Sequence, residues 1–253
     1  MKLFVNPRYW YLRDEISHVV NGGYVATKVF CHRRNVVERF VMQGKEYVIK
    51  IYRRPNLFNR FAYTFLRKSK AERAYVNALR LLELGIETPF PVAYAEKKSC
   101  GLFTDGYFIS EYVPYGLMQE AYAGLSTEAE RERLTDDFSD FTLAMHAKGV
   151  LPLDFNSSNI FYYCKDGAYR FALTDINRMR FGAVPSIAEA MRSFEQMGLS
   201  VEALCKIANR YCSSRDGDVE YSVLVFLYHR IRHRVKCAFK RGVGRVKSSG
   251  VVC

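Results

Sequence analysis

The sequence lacks a long uninterrupted hydrophobic run. Its longest apolar stretch, Tyr221 to Tyr228, is far shorter than the roughly 18 residues that a membrane-spanning helix needs. The N-terminal residues have no apolar core of the kind found in a signal peptide, and the chain has no internal repeat. We therefore expect a soluble, cytoplasmic protein.

Paired cysteines are also missing, although the chain contains 7 cysteines. They are scattered, with no C-x-x-C pair and no histidine at ligand spacing. This pattern argues against a disulfide framework and against a zinc site. We expect reduced thiols, as in a reducing compartment.

Acidic residues are scarce relative to basic ones: 26 Asp and Glu stand against 38 Lys and Arg, for a formal charge of +12. Much of the excess lies in residues 53–73, where aromatic residues are interleaved, and in residues 230–247. Such stretches attract phosphates on nucleic acid, anionic lipid or a phosphorylated glycolipid. Either stretch alone could be a solvated face, but the two together favour a polyanionic partner.

The N-terminal half has the pattern of a small sheet with one main helix. Residues 24–30, 36–42 and 46–52 predict a three-stranded antiparallel meander, and residues 92–96 and 107–113 predict two further strands. Between them, Ser69 and Glu72 form a capping-box pattern that opens a helix through about Leu84, which Gly85 ends.

The remainder is mostly helical. Helices are predicted at 127–148, 186–197, 200–212 and 219–240, and a hairpin at 160–163 and 169–173 turns at Asp166-Gly167. This is an α+β arrangement of two lobes. We expect an N-terminal lobe at 1–110, a hinge at 111–116 and a helical C-terminal lobe at 117–253.

Three polar residues lie where burial would otherwise be expected. Asp154 and Asn159 are in the loop after the long helix, and Asp175 follows the hydrophobic strand RFALT. Two-lobed kinases place an Asp that accepts the substrate proton, then an Asn and a second Asp that hold Mg²⁺, in this order. Each residue taken alone could equally be a turn or cap residue.

Lys50 and Glu72 extend this pattern into the N-terminal half. Lys50 lies in the apolar strand VIKIY, and a kinase lysine in this position contacts the nucleotide phosphates and a helix Glu. Glu72 is the candidate partner on the helix. The alternatives are a snorkelling lysine for Lys50 and a purely capping role for Glu72. The order of all these features along the chain favours the kinase interpretation.

At these residues the chain resembles the lipopolysaccharide-core kinases, over roughly residues 22–182. The resemblance is carried by VIKIYRRPNLFNRFAYTFLRKSKAERAY, LLELGIETPFPVAY, LDFNSSNIFY and LTDINRMRF. It implies a protein-kinase-like fold, ATP and Mg²⁺ as cofactors, and a Kdo or heptose hydroxyl of lipid A-linked core as the phosphate acceptor.

The resemblance also implies individual roles. It assigns Lys50 to the nucleotide phosphates, Asp154 to the catalytic base, Asn159 and Asp175 to Mg²⁺, and Glu111 to Val113 to an adenine-binding hinge. A membrane-bound glycolipid substrate implies peripheral association with the anionic inner face of the cytoplasmic membrane, through residues 53–73. No nucleic-acid partner is expected.

The chain departs from protein kinases in ways that leave other functions open. The sequence CHRRN replaces a glycine-rich loop, so we expect Arg33 and Arg34 to contact phosphate with their side chains. Pro152 occupies the place of the His in H-R-D, and Asp175-Ile176-Asn177 replaces D-F-G. Two alternatives therefore stand beside a sugar kinase: an inactive kinase-like module that binds a polyanion, and a soluble aminoglycoside-type phosphotransferase.

Overall fold

The computed structural model describes residues 1–32, 35–53 and 55–249, without the side chains of residues 57, 59, 122, 123 and 240–249. The chain divides into two compact units. The first comprises Met1–Pro114 and Ala172–Arg178, and the second comprises Tyr115–Phe171 and the residues from Met179 onward. The short segment Ala172–Arg178 thus belongs to the first unit, although the sequence analysis placed it in the helical lobe.

The first unit is built on an antiparallel sheet. In chain order its elements are β1 (Lys2–Val5), α1 (Arg13–Val20), β2 (Ala26–His32), β3 (Asn35–Met42), β4 (Lys45–Tyr52), α2 (Leu57–Phe65), α3 (Lys70–Glu83), β5 (Pro91–Ser99) and β6 (Leu102–Glu111). Six strands of the described residues form one sheet in the order β1-β5-β6-β4-β3-β2. The predicted meander and α3 are confirmed, whereas β1, α1 and α2 were not predicted.

Side chains alternate between the two faces of this sheet, as the strand period requires. One face carries Phe40, Ile49 and Ile109 against α1, which buries Ile16 and Val19 beneath it. The opposite face carries Tyr52 and Tyr94 against Ala71 and Tyr75 of α3. Lys50 shares a strand and a face with Tyr52, so its backbone position directs it to the α3 side of the sheet.

The second unit is mainly helical. Its elements are β7 (Gly116–Leu117), α4 (Met118–Gly124), α5 (Glu128–Ala147), β8 (Val150–Pro152), β9 (Ile160–Lys165), β10 (Ala168–Leu173, whose last two residues fall in the first unit), β11 (Met179–Phe181), α6 (Ile187–Ser193), α7 (Val201–Ser213) and α8 (Val219–Ser249). The predicted hairpin is confirmed, and Asp166 and Gly167 turn it with φ of 53° and 77°, as a tight hairpin turn requires.

Several predicted boundaries differ from the structure. The strand predicted to reach Val113 ends at Glu111. The last helix, which was predicted to end at Lys240, continues to Ser249. The helix predicted at 186–197 divides into α6 and a short 3-10 turn at Phe194–Gln196. No helix of the described residues combines the length and the apolar character needed to cross a bilayer.

Candidate active site

Lys50 is held at the centre of the first unit's sheet. Its strand, β4, lies between β3 and β6, and Lys50 is in register with Val37 on one side and Phe108 on the other. Because both neighbouring strands are hydrogen bonded to β4, the backbone of Lys50 is fixed. Its side chain is 15% exposed, so its ammonium requires a partner of opposite charge.

That partner is Asp175. The Nζ of Lys50 lies 2.5 Å from Oδ1 of Asp175, whose side chain is 33% exposed. The two residues are far apart in sequence, yet both belong to the first unit. In this structure the carboxylate beside Lys50 is therefore that of Asp175, and the expected pairing of Lys50 with Glu72 is not formed.

Asp175 has an unusual backbone conformation. Its φ is 52°, a left-handed value that Asp and Asn adopt more readily than most residues. The side-chain amide of Asn177 donates a hydrogen bond of 2.7 Å to the same Oδ1 that contacts Lys50. Both described contacts thus use one carboxylate oxygen, and Oδ2 has no hydrogen-bond or ion-pair partner among the described residues.

The segment around Asp175 is fastened to the first unit by three hydrogen bonds. Leu173 N–H donates to Glu87 O at 2.8 Å, and the hydroxyl of Thr88 donates to Leu173 O at 2.8 Å. The side-chain amide of Asn77, on α3, donates to Ile176 O at 2.7 Å. These polar residues were not predicted from the sequence, since their role depends on tertiary contacts alone.

Tyr52 lies beside the ion pair of Lys50 and Asp175. Its ring lies 5.5 Å from Nζ of Lys50 and 5.9 Å from Nζ of Lys70, within the range of a cation–π contact. Burial raises the pKa of its hydroxyl well above the usual value, and the nearby Asp175 carboxylate raises it further. The buried hydroxyl has no hydrogen-bond partner among the described residues.

Glu72 makes different contacts from those expected. Its carboxylate lies 3.4 Å from Nζ of Lys2 and 3.9 Å from Nζ of Lys68. Half of the predicted capping box forms, because the Ser69 hydroxyl accepts a hydrogen bond from Glu72 N–H at 3.1 Å. Among the described residues the Glu72 carboxylate makes no hydrogen bond to the Ser69 backbone. A role for Glu72 toward nucleotide remains a prediction.

The predicted hinge begins where β6 ends. Glu111 N–H donates to Phe90 O at 2.9 Å, and Tyr112 N–H donates to Glu46 O at 3.1 Å. Val113 has no backbone hydrogen bond among the described residues, and its role in binding adenine remains a prediction. The proposed phosphate contacts Arg33 and Arg34 lie outside the described residues.

Tyr9 fixes the Glu111 side chain. The Tyr9 hydroxyl donates a hydrogen bond to Oε1 of Glu111, and burial, together with this bond, raises the pKa of Tyr9. The N-terminal segment therefore supports the start of the hinge, a contribution that the sequence analysis missed.

Asp154 and Asn159 lie on one loop of the second unit. The Asn159 side-chain amide donates to the backbone carbonyl of Asp154 at 3.1 Å, which ties the two ends of the loop together. Between them Asn156 accepts a hydrogen bond from Ser158 N–H at 3.1 Å and caps a short 3-10 turn. This geometry leaves Oδ1 of Asn159 without a hydrogen-bond partner among the described residues.

Packing inside the second unit holds this loop in place. The buried ring of Phe155 stacks on Phe138 of α5 with centroids 5.8 Å apart, and the hydroxyl of Ser157 accepts a hydrogen bond from Gly198 N–H at 3.3 Å. Leu151, just before the loop, is in register with Arg180 of β11. The loop is thus anchored on both sides of Asp154.

Gly149 sets the turn from α5 into this region. Its φ is 69°, and a Cβ at this position would meet Gly182 O at 1.9 Å. Such a distance is well below any van der Waals contact, so only glycine fits. Gly149 N–H also closes the helix by donating to His146 O at 2.8 Å.

His146 is a buried histidine outside the catalytic-loop pattern. Its Nδ1 lies 2.9 Å from the Tyr211 hydroxyl, which in turn accepts a hydrogen bond from Arg215 at 2.8 Å. Burial lowers the pKa of His146 to about 3, with smaller contributions from Arg215 and Arg180. The imidazole is therefore neutral near pH 7, and its contacts indicate a structural role.

The available oxygen donors suit a hard cation. Asp175 Oδ2 and Asn159 Oδ1 are carboxylate and amide oxygens, the ligand types that Mg²⁺ prefers. No three His, Cys, Asp or Glu side chains gather as a metal site within the described part of the chain. A magnesium ion bound at either residue would thus need further oxygen ligands, such as water.

Comparisons with known proteins found no matching family model and no matching curated protein. Among solved structures, the chain is similar to one described as WaaP in complex with acyl carrier protein, at 18% identity and a TM-score of 0.60. The match covers 93% of this chain and 99% of the other. At this identity the likeness establishes the fold: an α+β, two-lobed, protein-kinase-like fold with an antiparallel N-terminal sheet and a helical C-terminal region.

Proposed function

We propose that this protein is an ATP- and Mg²⁺-dependent kinase that phosphorylates a Kdo or heptose hydroxyl of the lipopolysaccharide inner core. The contact between Lys50 and Asp175 carries the proposal, because it joins the two residues that kinase chemistry assigns to phosphate and metal. The kinase-like fold supports the reaction class, and the resemblance of the sequence motifs supports the acceptor.

The residues divide the work as follows. Lys50 neutralises charge on the nucleotide phosphates, and Glu111 to Val113 receive the adenine. Asp175 and Asn159 hold Mg²⁺, which when bound screens the phosphate charge. Asp154 orients the acceptor hydroxyl and takes its proton. Catalysis of this kind rests on positioning and on electrostatic neutralisation.

Further contacts to nucleotide are proposed for three charged residues. Arg33 and Arg34 supply cations where the glycine-rich loop of other kinases supplies backbone N–H groups. Glu72 is the proposed partner of Lys50 in the nucleotide-bound state, once Asp175 turns to the metal. Lys2 and Lys68 would then compete with Lys50 for the Glu72 carboxylate.

A glycolipid acceptor places the enzyme at the inner face of the cytoplasmic membrane. Helix α2 is consistent with this location, since Phe58, Phe61 and Phe65 are exposed at helical spacing. They recur every three to four residues and therefore share one face. Arg67 and Lys68 follow at the end of this helix, within the basic stretch 53–73, and would favour anionic lipid or lipid A phosphates.

Acyl carrier protein is a further candidate partner. The structure similar to this chain holds WaaP together with acyl carrier protein, and this observation alone supports the candidate. We propose that acyl carrier protein be supplied in every assay of this chain, with a parallel sample that lacks it.

An acceptor panel tests the proposed function. Purified protein, ATP and Mg²⁺ would be incubated with Kdo-bearing lipid A, with heptose-extended core and with kanamycin, and the products identified by mass spectrometry. Phosphorylation of a core sugar alone supports the proposal, whereas phosphorylation of kanamycin alone would favour the aminoglycoside-type enzyme. No transfer to any acceptor and no ATP binding would favour an inactive module that binds a polyanion.

A further inference from the structure

Helix α8 (Val219–Ser249) has one face that packs on the second unit. Ser222 and Phe226 on this face are buried. One turn after Phe226, the guanidinium of Arg230 donates to Met197 O at 2.7 Å and to Leu199 O at 2.8 Å. His229 and His233 also lie on this side, each with Nδ1 3.9 Å from the Glu195 carboxylate.

The opposite face of α8 is apolar and exposed. We call it the outer stripe; its members are Tyr221, Leu224, Tyr228, Ile231, Val235 and Phe239. Each of them is at least 62% exposed. They recur at intervals of three and four residues, so they form one continuous line along the helix. Exposed apolar surface of this extent on one face indicates a contact surface.

Cations border the outer stripe on both sides. At 100° per residue, Arg232 and Lys236 fall on one side of the line and Arg234 falls on the other. All three are exposed. Glu220, at the first turn, is the sole acidic residue in the sequence of this helix, and the sequence continues with Lys240 and Arg241.

This pattern distinguishes between the possible occupants of the stripe. In a pairing with a second copy through the same stripe, Arg232 and Arg234 would take the flanking positions where coiled coils place opposite charges. The helix offers no acidic side chain there, so the two copies would repel each other. An anionic lipid surface matches both features, because it accepts apolar side chains and attracts the bordering cations.

We infer that α8 docks in the plane of an anionic membrane surface, with its outer stripe inserted between the lipids and its bordering arginines against the headgroups. This inference deepens the proposed function, because it supplies a second contact to the membrane that carries the substrate. Its test uses no nucleotide or sugar, so failure of membrane docking and failure of phosphate transfer can be told apart.

The test is co-sedimentation of the full chain with vesicles of phosphatidylcholine, with and without phosphatidylglycerol. The stripe variant is Ile231→Ser with Val235→Ser, since Ser has nearly the helix propensity of Ile and Val. Its matched control is Val184→Ser with Val201→Ser, which removes two exposed apolar side chains elsewhere in the same unit. A charge variant carries Arg232→Gln, Arg234→Gln and Lys236→Gln. Circular dichroism confirms that each variant is folded.

We expect binding to the anionic vesicles that the stripe variant weakens at least about tenfold for each side chain and that the control leaves unchanged. The charge variant should lose about fivefold for each cation removed. Equal binding to neutral vesicles, or full binding by the stripe variant, would overturn the inference. A stripe-dependent dimer in light scattering, without vesicle binding, would overturn it in favour of a second copy.

Discussion

The side chains of Lys50 and Asp175 form an ion pair with Nζ 2.5 Å from Oδ1. Lys50 comes from a central strand, whereas Asp175 comes from a segment that follows β10 and returns to the first unit. An ion pair between these elements requires Asp175 to be placed correctly. Its left-handed backbone and the hydrogen bonds from Asn77 and Thr88 provide that placement.

The first prediction concerns metal-dependent nucleotide binding by Asp175. With ATP and Mg²⁺ at about 100 times Kd, the wild-type chain should gain about 2.7 kcal/mol, or about 5–10 °C in Tm for a chain of this size. Asp175→Asn tolerates the same positive φ but removes the charge, so the metal-dependent part of the shift should disappear. A thermal-shift titration with and without Mg²⁺ measures this.

Asp166→Asn is the matched control, because Asp166 also has a positive φ and lies in the turn of the hairpin. It should retain the full shift. An unchanged metal-dependent shift in Asp175→Asn would show that Asp175 is not a metal ligand.

The second prediction concerns Lys50. Lys50→Met should weaken ATP binding about 10- to 100-fold, because a hydrogen bond to a charged group contributes about 1.5–3 kcal/mol. Lys45→Met, at the exposed start of the same strand, should have no effect. Calorimetric titration with ATP compares the two, and equal affinities would remove Lys50 from the nucleotide site.

The third prediction concerns the turn between α5 and the loop that contains Asp154 and Asn159. Gly149→Ala should destabilise the protein by about 2 kcal/mol or more, since its Cβ would overlap Gly182 O in addition to the strain of a positive φ. Gly167→Ala has the same type of strain, with φ of 77° and no atom within 4 Å, and should cost about 1 kcal/mol. Urea unfolding of both variants measures the difference, and equal losses would contradict the close approach.

The fourth prediction concerns the pH dependence of stability through His146. Its pKa is about 3 in the folded chain and about 6.5 when unfolded. Between these values the unfolded chain binds the extra proton, so stability falls as the pH is lowered from about 6.5 toward 3. The contribution at pH 7 is on the order of a few kcal/mol.

Phe cannot titrate, so only the wild type should lose stability through this position as the pH falls from 7.5 to 5. The free energy of unfolding of the wild type minus that of His146→Phe should therefore decrease over this range. Urea unfolding at the two pH values measures this difference. A difference that is independent of pH would show that His146 is not held neutral by burial.

Much of the fold could be predicted from the sequence where local signals are strong. Helix α5 is capped at its N-terminus by Thr127, whose side chain accepts a hydrogen bond from Glu130 N–H, and Gly149 follows its C-terminal end. The hairpin follows from Asp166-Gly167. In both cases the residues that define the element are neighbours in sequence, so the pattern is visible without tertiary information.

The missed elements lack such signals. Helix α1 is 8 residues long and has no side-chain cap, so its burial under the sheet stabilises it rather than its own sequence. Helix α2 is rich in aromatic residues with low helix propensity. The sequence pattern of residues 53–73 therefore indicated a basic surface and gave no clear helix signal. The choice between Glu72 and Asp175 as partner of Lys50 depends on distances that only the folded chain defines.

The most direct test of the central claim is phosphate transfer from ATP to lipid A-linked core by wild type, Asp154→Asn and the control Asp166→Asn, with ATP affinity measured in parallel. The account predicts transfer by wild type and control, and loss of transfer with unchanged ATP affinity in Asp154→Asn. Undiminished transfer by Asp154→Asn would contradict the assignment of Asp154 as the base. Absence of transfer by the wild type, despite ATP binding, would contradict the proposed acceptor.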